Sequence, residues 1–159
     1  MDARSLQETY APAGRCFGCG PSNPDGLRLR SFEAADGTLT AAWEPAPRYE
    51  AFADALNGGI VGTLLDCHGN WAAVLHLMRA RDTTEPPGCV TSELSIRFRR
   101  PTPTRSGPVA LRSRVLDASP DRATVEATIA GPDGVPTATA RGVFVAVPPG
   151  HPAHDRWRG

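Results

Sequence analysis

The sequence contains no lysine: all 17 of its basic residues are arginines, and 17 acidic residues balance them. The absence of lysine excludes Schiff-base catalysis and the kind of phosphate-binding loop that requires a lysine. The zero net charge argues against nucleic acid or an acidic membrane surface as a partner, because clustered positive charge binds such partners. Aromatic residues are scarce at 6%, but 40% hydrophobic residues is a composition typical of a globular protein.

Long apolar runs are absent as well. No stretch approaches the roughly 18 apolar residues of a transmembrane helix, and the polar start MDARSLQETY is unlike a signal peptide. We therefore expect a cytoplasmic protein with no membrane partner. No linker or internal repeat divides the chain, so we expect one domain over residues 16–147. Residues 1–15 are predicted to form a loosely held arm, and residues 148–159 a tail.

One segment has the periodicity of a long helix. From residue 57 to about residue 80, apolar residues recur at steps of three and four, and Asn57 is a suitable N-cap. The backbone amides of Gly58 and Gly59 are then expected to be free at the helix start. Strand patterns occupy residues 27–32, 37–44, 89–99, 109–116, 123–130 and 137–147. Together these elements predict an α+β fold, an antiparallel six-stranded sheet wrapped around one long helix.

Asp66 is the candidate catalytic residue of this helix. On a helical wheel it shares a face with Gly59, Gly62, Asn70 and Ala73, and the apolar stripe lies on the far side. Glycines weaken a helix by roughly 1 kcal/mol each relative to alanine, so their presence beside a carboxylate suggests that a ligand approaches the backbone here. The alternative is that the small residues let the helix press against a sheet while Asp66 points to solvent.

The helix start and Asp66 together favour acyl transfer. Free amides at a helix N-terminus can stabilise an oxyanion, and Asp66 follows two turns later, roughly 11–12 Å along the axis. Asp66 could then act as base or nucleophile on the bound carbonyl. His68 lies about 200° from Asp66 on the wheel and borders the apolar stripe, so we expect a hydrogen-bonded packing histidine instead of a catalytic one.

The cysteines raise the question of a metal site. Cys16 and Cys19 have the C-x2-C spacing of metal ligands, but a closed zinc site needs four ligands. Cys67 and Cys89 belong to the helix and to a strand, and Cys67 lies on the apolar side of the helix. We predict a structural turn with buried thiols and no metal ligands, and a zinc module on Cys16 and Cys19 is the alternative.

Several segments carry a family resemblance. CFGCGPSNPDGLRLRSF, NGGIVGTLLDCHGNWAA, VTSELSIRFRRPTPTRSGPV, the later DG and ARGVFV follow one another in order over residues 16–147. This pattern resembles the hotdog-fold acyl-CoA thioesterases of the PaaI-like group. The resemblance implies a hotdog fold, a homodimer or a tetramer of dimers, an active site at the dimer interface and no cofactor. It also implies an acyl-CoA substrate, with an acyl-carrier protein as the alternative.

The same resemblance implies roles for individual residues. Asp66 matches the helix carboxylate that serves as general base or nucleophile on the thioester. Gly58 matches the glycine whose amide polarises the thioester carbonyl, and Gly59 beside it is expected to contact substrate. Thr91 matches a strand hydroxyl that helps to position water from the partner subunit. Three arginines match positions that touch the CoA phosphates in relatives: Arg97, Arg99 and Arg122. Solvated arginines at strand edges are the alternative for these three.

Asn57 is a departure from the family pattern, because many relatives have histidine at this position. An asparagine can cap the helix and donate a hydrogen bond to a carbonyl, but it cannot take a proton. Asp66 is therefore the only candidate base. Two alternative functions follow: a non-catalytic acyl-CoA or lipid-binding module, and a hydratase or dehydratase. The second usually requires a histidine–acid pair on the helix, which the positions of Asp66 and His68 do not favour.

Overall fold

A computed structural model describes residues 3–159 as one long helix enclosed by a curved antiparallel sheet. A short helix α1 (Leu6–Tyr10) comes first, and the long helix α2 spans Gly58–Ala80. The six strands of the main sheet are β1 (Phe32–Glu33), β2 (Leu39–Trp43), β5 (Cys89–Phe98), β6 (Val109–Ser119), β7 (Arg122–Ala130) and β8 (Pro136–Ala146). A 3-10 turn (Pro47–Tyr49) and a two-stranded ribbon, β3 (Glu50–Phe52) and β4 (Ala55–Leu56), lead into α2.

The main sheet has the order β1-β2-β6-β7-β8-β5, and every pair in it is antiparallel. This confirms the predicted α+β architecture. The strand β5 lies at one end of this order and pairs only with β8, so within residues 3–159 its other edge has no partner strand. A bulge between Thr91 and Glu93 shifts the register of β5 against β8. No helix of residues 3–159 combines the length and apolar character needed to cross a membrane.

The helix α2 is buried on nearly all sides. It begins after Asn57 and ends at Ala80, as the sequence predicts, and most residues between Val61 and Met78 are inaccessible to solvent. The sheet covers one side, and the segment before β2 covers the other through Cys16, Cys19 and Ser31. The buried surface of α2 is therefore wider than the single apolar stripe that the sequence suggests, because small residues on the Asp66 side of the helix are buried too.

The predicted strand at residues 27–32 is wrong except for its last residue. Arg28 has a positive φ of 53°, a conformation that no regular strand contains. The amides of Leu27 and Leu29 instead donate to the carbonyl oxygens of Phe17 and Gly18. The alternating leucines are buried as the pattern predicts, but they pack under the Cys16 turn and not in the sheet.

Both ends of the described chain are packed against the fold, in contrast to the predicted loose arm and tail. Ser5 caps α1, and Gln7 is buried against Ser31. At the other end, Trp157 is buried with its ring centroid 4.9 Å from that of Trp71 on α2. The sequence did not reveal this because neither segment has a regular hydrophobic period.

Candidate active site

Asp66 and Thr91 form the centre of the candidate site. Asp66 projects from α2 toward β5 and is half-buried, and the Thr91 hydroxyl donates a hydrogen bond of 2.6 Å to its carboxylate. Burial raises the pKa of Asp66 above its ordinary value, and the Thr91 hydrogen bond opposes that rise. The resemblance implied that Thr91 acts from a partner subunit, but here it contacts Asp66 of its own chain. The bulge that follows Thr91 lies next to this contact.

Arg156 is a neighbour of Asp66 that the sequence did not predict. Its guanidinium donates a 2.6 Å hydrogen bond to the carbonyl of Cys89, at the start of β5, and stacks on Trp157. From there its charge favours the ionised form of Asp66. Nothing in the sequence pattern connects residue 156 with the helix, because the C-terminal segment has no periodicity and reaches the site through tertiary packing alone.

The helix start offers one free amide and not two. The Asn57 side chain accepts a 2.8 Å hydrogen bond from the amide of Gly59, so the expectation that this amide is free is wrong. The amide of Gly58 makes no hydrogen bond to any described residue. The ring of Phe98 lies beside Gly58, at 3.5 Å from where a Cβ atom would stand. Gly58 is therefore the candidate oxyanion donor, and Asn57 fixes the helix end that presents it.

Gly58 and Asp66 of one chain are too far apart to act on one carbonyl. Eight residues of helix separate them, which is about 12 Å along the axis. In such a site the amide contacts the carbonyl group, the carbonyl carbon contacts the attacking water, and the water contacts the carboxylate. With hydrogen bonds of about 2.9 Å, the distance from the amide to the carboxylate is at most about 10 Å. A single chain therefore holds the two halves of such a site but does not assemble them.

The small residues on the Asp66 side of α2 let the helix lie close to the sheet. A Cβ atom at Gly62 would stand 3.2 Å from the Ile96 side chain, and one at Gly69 would stand 3.0 Å from the ring of Phe144. Close packing thus accounts for these two glycines, as the alternative interpretation of the sequence proposed. Asp66 does not simply point to solvent, however, since it bonds Thr91.

The three candidate phosphate-binding arginines do not lie beside Asp66 in the single chain. Ile96 and Phe98 face the helix, so Arg97 between them points to the outer side of the sheet. Arg122 is exposed beside buried Ala123, on the same outer side, and approaches Asp121 at 3.5 Å. Arg99 follows the end of β5 and is exposed. Their role in binding phosphate stays a prediction.

His68 is a packing residue, as predicted. It is completely buried, and its Nδ1 and Nε2 atoms lie 2.9 Å from the Ser31 hydroxyl and 3.2 Å from the Leu39 carbonyl oxygen. Since a carbonyl can only accept, Nε2 carries the proton and Nδ1 accepts from Ser31. The Gln7 amide donates in turn to Ser31. Burial lowers the pKa of His68 to about 4, so the ring is neutral and structural.

The four cysteines form no disulfide, and Cys67 is a buried core residue, as predicted. The sequence did not predict that Cys67 meets the Cys16 turn: its Sγ atom is 3.7 Å from that of Cys16, and the Sγ atoms of Cys16, Cys19 and Cys67 are all within 4.8 Å of one another. Cys89 is buried elsewhere. The sequence could not pair the turn with the helix, because their contact depends on how the N-terminal segment folds back over α2.

Two cavities lie away from this site. One of about 390 Å³ is bordered by Gln7, Cys19 and Leu29, and one of about 410 Å³ by Ala72, Leu75 and His76. Neither is lined by Asp66, Thr91 or Gly58. The candidate site is instead defined by the contact between α2 and β5 at Asp66 and Thr91.

No protein-family model matches the chain, and no curated protein matches its sequence. Many solved structures match its fold. A thioesterase superfamily protein from Shewanella loihica is 24% identical, with a TM-score of 0.61 over 76% of this chain and 91% of that one. A Bacillus halodurans protein solved with CoA is 23% identical, with a TM-score of 0.62 over 77% of this chain and 76% of that one. A mutant thioesterase from Pseudomonas aeruginosa is 25% identical, with a TM-score of 0.60 over 77% and 83% of the respective chains. The chain thus has the hotdog fold of these thioesterase superfamily proteins.

Proposed function

We propose that this protein, with its hotdog fold, hydrolyses an acyl thioester linked to CoA or to a carrier protein. The observation that carries the proposal is the half-buried carboxylate of Asp66, held by Thr91 at 2.6 Å on the open side of the fold. A carboxylate fixed in this way can accept a proton from a water molecule and keep its orientation. The solved structures named as thioesterases support the same reaction class.

In the proposed reaction, Asp66 removes a proton from water as the water oxygen bonds to the thioester carbon. The carbonyl oxygen gains negative charge, which the Gly58 amide stabilises by a hydrogen bond. The carbon–sulfur bond then breaks, and the thiolate leaves and takes up a proton. In the alternative route, Asp66 attacks the carbon directly, the carbon–sulfur bond breaks as the thiolate leaves, and water then hydrolyses the mixed anhydride to the free acid and Asp66. Thr91 orients the carboxylate in both routes.

This chemistry requires a second copy of the chain. We infer a homodimer joined through the free edges of β5, because the edge of this ten-residue strand that faces away from β8 has no partner strand within residues 3–159, and the strand exposes Leu94 (36%) and Phe98 (55%). A two-fold axis at this edge makes the two α2 helices antiparallel. Gly58 of one subunit then approaches Asp66 of the other. The two groups that act together therefore come from different subunits, and the separation of about 12 Å within one chain is no obstacle. Pairing of dimers into a tetramer is the alternative assembly.

For the CoA moiety, Arg97, Arg99 and Arg122 are the proposed phosphate ligands. Arginine binds phosphate through two parallel N–H groups, which suits a nucleotide tail. The Bacillus halodurans protein of similar fold was solved with CoA. The exposed position of these arginines leaves them accessible to a nucleotide at the surface.

A panel of short, long and aromatic acyl-CoAs, with thiol release as the measurement, tests the proposal. We expect Asp66→Asn and Asp66→Ala to abolish turnover without changing the circular dichroism spectrum. Thr91→Ala should slow hydrolysis by roughly 10²-fold, within the usual range for a group that handles or positions protons. The matched control is Asp117→Asn, which makes the same change at an exposed position of β6 and should retain full activity. A wild-type kcat in Asp66→Asn would refute the assignment.

A non-catalytic acyl-CoA-binding module is the second candidate. The observation that favours it is that the Asn57 oxygen is bound to the Gly59 amide and supplies no proton acceptor. Thermal stabilisation by acyl-CoAs, with no thiol release for any member of the panel, would select this function over hydrolysis.

A further inference from the structure

Three sulfur atoms meet where the Cys16 turn packs on α2. The structure assigns to Cys16, Cys19 and Cys67 a metal site, and we propose that they bind one Zn²⁺ ion as thiolates. The Sγ atoms all lie within 4.8 Å of one another, and those of Cys16 and Cys67 are 3.7 Å apart. This site lies close to Asp66 but binds a different ligand from the thioester proposed above, and neither proposal depends on the other.

The sulfur spacing is that of metal ligands. With zinc–sulfur bonds of about 2.3 Å in a tetrahedron, two thiolates on the same ion are about 3.8 Å apart. A disulfide needs a separation of about 2.05 Å, and the four cysteines of the chain are free. Cys16 and Cys67 are already at the ligand spacing, and Cys19, within 4.8 Å of both, needs a movement of at most about 1 Å to bind the ion.

The turn between Cys16 and Cys19 is built for a thiolate. The thiols of Cys19 and Cys67 and, to a smaller extent, the backbone amides of Cys19 and Gly18 lower the pKa of Cys16, which favours its ionised form. Gly20 closes the turn by donating a 2.8 Å hydrogen bond to the Cys16 carbonyl. Gly18 has no room for a side chain, because a Cβ atom there would collide with the Cys67 sulfur and with Thr63. The turn is thereby held directly against the helix.

A buried donor without an acceptor points to the same site. The Trp71 Nε1 atom is inaccessible to solvent and makes no hydrogen bond to any residue of the described chain. It lies beside the Cys19 sulfur. A neutral thiol is only a weak acceptor, whereas a metal-bound thiolate is a good one. Metal binding therefore gives this orphaned indole a partner.

The charge of the site favours a divalent ion. Three thiolates and Zn²⁺ leave a net charge of −1 and one open coordination position, which water can fill beside the half-buried Cys16. A monovalent copper ion would leave −2 next to the Asp66 carboxylate, whose charge a Cys16 thiolate repels. As the metal binds, the thiol protons pass to water.

Cobalt titration of the purified full-length protein, kept reduced without thiol reagents, tests the proposal. We expect one equivalent of Co²⁺ to give a thiolate-to-cobalt charge-transfer band and visible bands of tetrahedral type, and Zn²⁺ to displace it. Cys16→Ser and Cys67→Ser should weaken binding by more than the roughly 10–100-fold that loss of an outer-shell partner costs. Cys89→Ser is the matched control, because that buried thiol lies outside the cluster, and it should bind like the wild type.

Three results would overturn the proposal: no charge-transfer band in the wild type, an unchanged band in Cys16→Ser, or loss of the band in a folded Cys89→Ser variant. Cys16 is the most exposed of the three ligands, so its exchange tests the site even if Cys67→Ser fails to fold. Metal content of the protein as isolated provides a second measurement. None of these measurements depends on thioester hydrolysis, so failure of the metal-site proposal can be told apart from failure of the hydrolase proposal.

Discussion

Acid should destabilise this protein through one buried histidine. His68 is enclosed between Ser31 and the Leu39 carbonyl, and burial lowers its pKa from 6.5 to about 4. In the unfolded chain the same ring regains a pKa near 6.5. Between these two pH values the unfolded chain binds a proton that the folded chain does not, so the free energy of unfolding falls as the pH falls.

The size of this effect follows from the two pKa values. The difference between 6.5 and about 4, at 1.36 kcal/mol for each pH unit, corresponds to about 3 kcal/mol. The contribution of His68 is complete above pH 6.5, declines as the pH falls to about 4, and does not change further below it. A loss of about 3 kcal/mol is a large part of the 5–15 kcal/mol typical of a folded domain.

Urea unfolding between pH 7 and pH 4, in the presence of a chelator and a reductant, measures this loss. In His68→Gln the pH dependence should be shallower by about 3 kcal/mol over the interval, because the variant has no proton to take up there. His76→Gln, an exposed histidine on the same helix, is the control and should retain the wild-type dependence. The reasoning fails if His68→Gln and the wild type lose stability in parallel, or if the His68 ring resonances of the folded protein titrate near pH 6.5.

Three further substitutions test the packing and the assembly. Gly142→Ala should lower the free energy of unfolding by about 1–3 kcal/mol, because its Cβ atom would stand 2.7 Å from the buried ring of Phe144; an unchanged urea midpoint would contradict this. Trp157→Ala should cost about 3 kcal/mol by the same measurement, since Trp157 packs on Trp71, and no effect would mean that the C-terminal segment is not part of the core. Phe98→Glu should convert a dimer to monomers in light scattering, and an unchanged mass would exclude pairing through β5.

The fold was largely predictable because its main elements repeat regular patterns. The helix over residues 57–80 and five of the six strands follow from periods of 3.6 and 2, and Asn57 marks the helix start correctly. The strand prediction at residues 27–32 is wrong because alternating apolar residues indicate which side chains are buried and do not determine the backbone conformation. Arg28 in this segment adopts a positive φ. The packing of α1 and Trp157 could not be read from segments that have no period.

The candidate site was predictable in part. Asp66 was identified by its helix position, and Thr91 only through the family resemblance, since a strand hydroxyl has no local signal of its role. The hydrogen bond from the Gly59 amide to the Asn57 side chain depends on the rotamer of Asn57, which the sequence does not determine. Cys67 contacts Cys16, and Arg156 contacts the start of β5, through packing between residues that are distant in sequence. The spacing of residues along the sequence does not indicate such contacts.

The order of the strands also determines when the chain can fold during synthesis. Among the described residues β5 pairs with β8 alone, and β2 must wait for β6. Before β6 to β8 emerge from the ribosome, α2 has no sheet to cover it, and the short elements α1 and β1 cannot be stable alone. A nascent chain that stops before Val109 therefore keeps the apolar helix exposed, because β6 and β7, which pack on α2, are still missing.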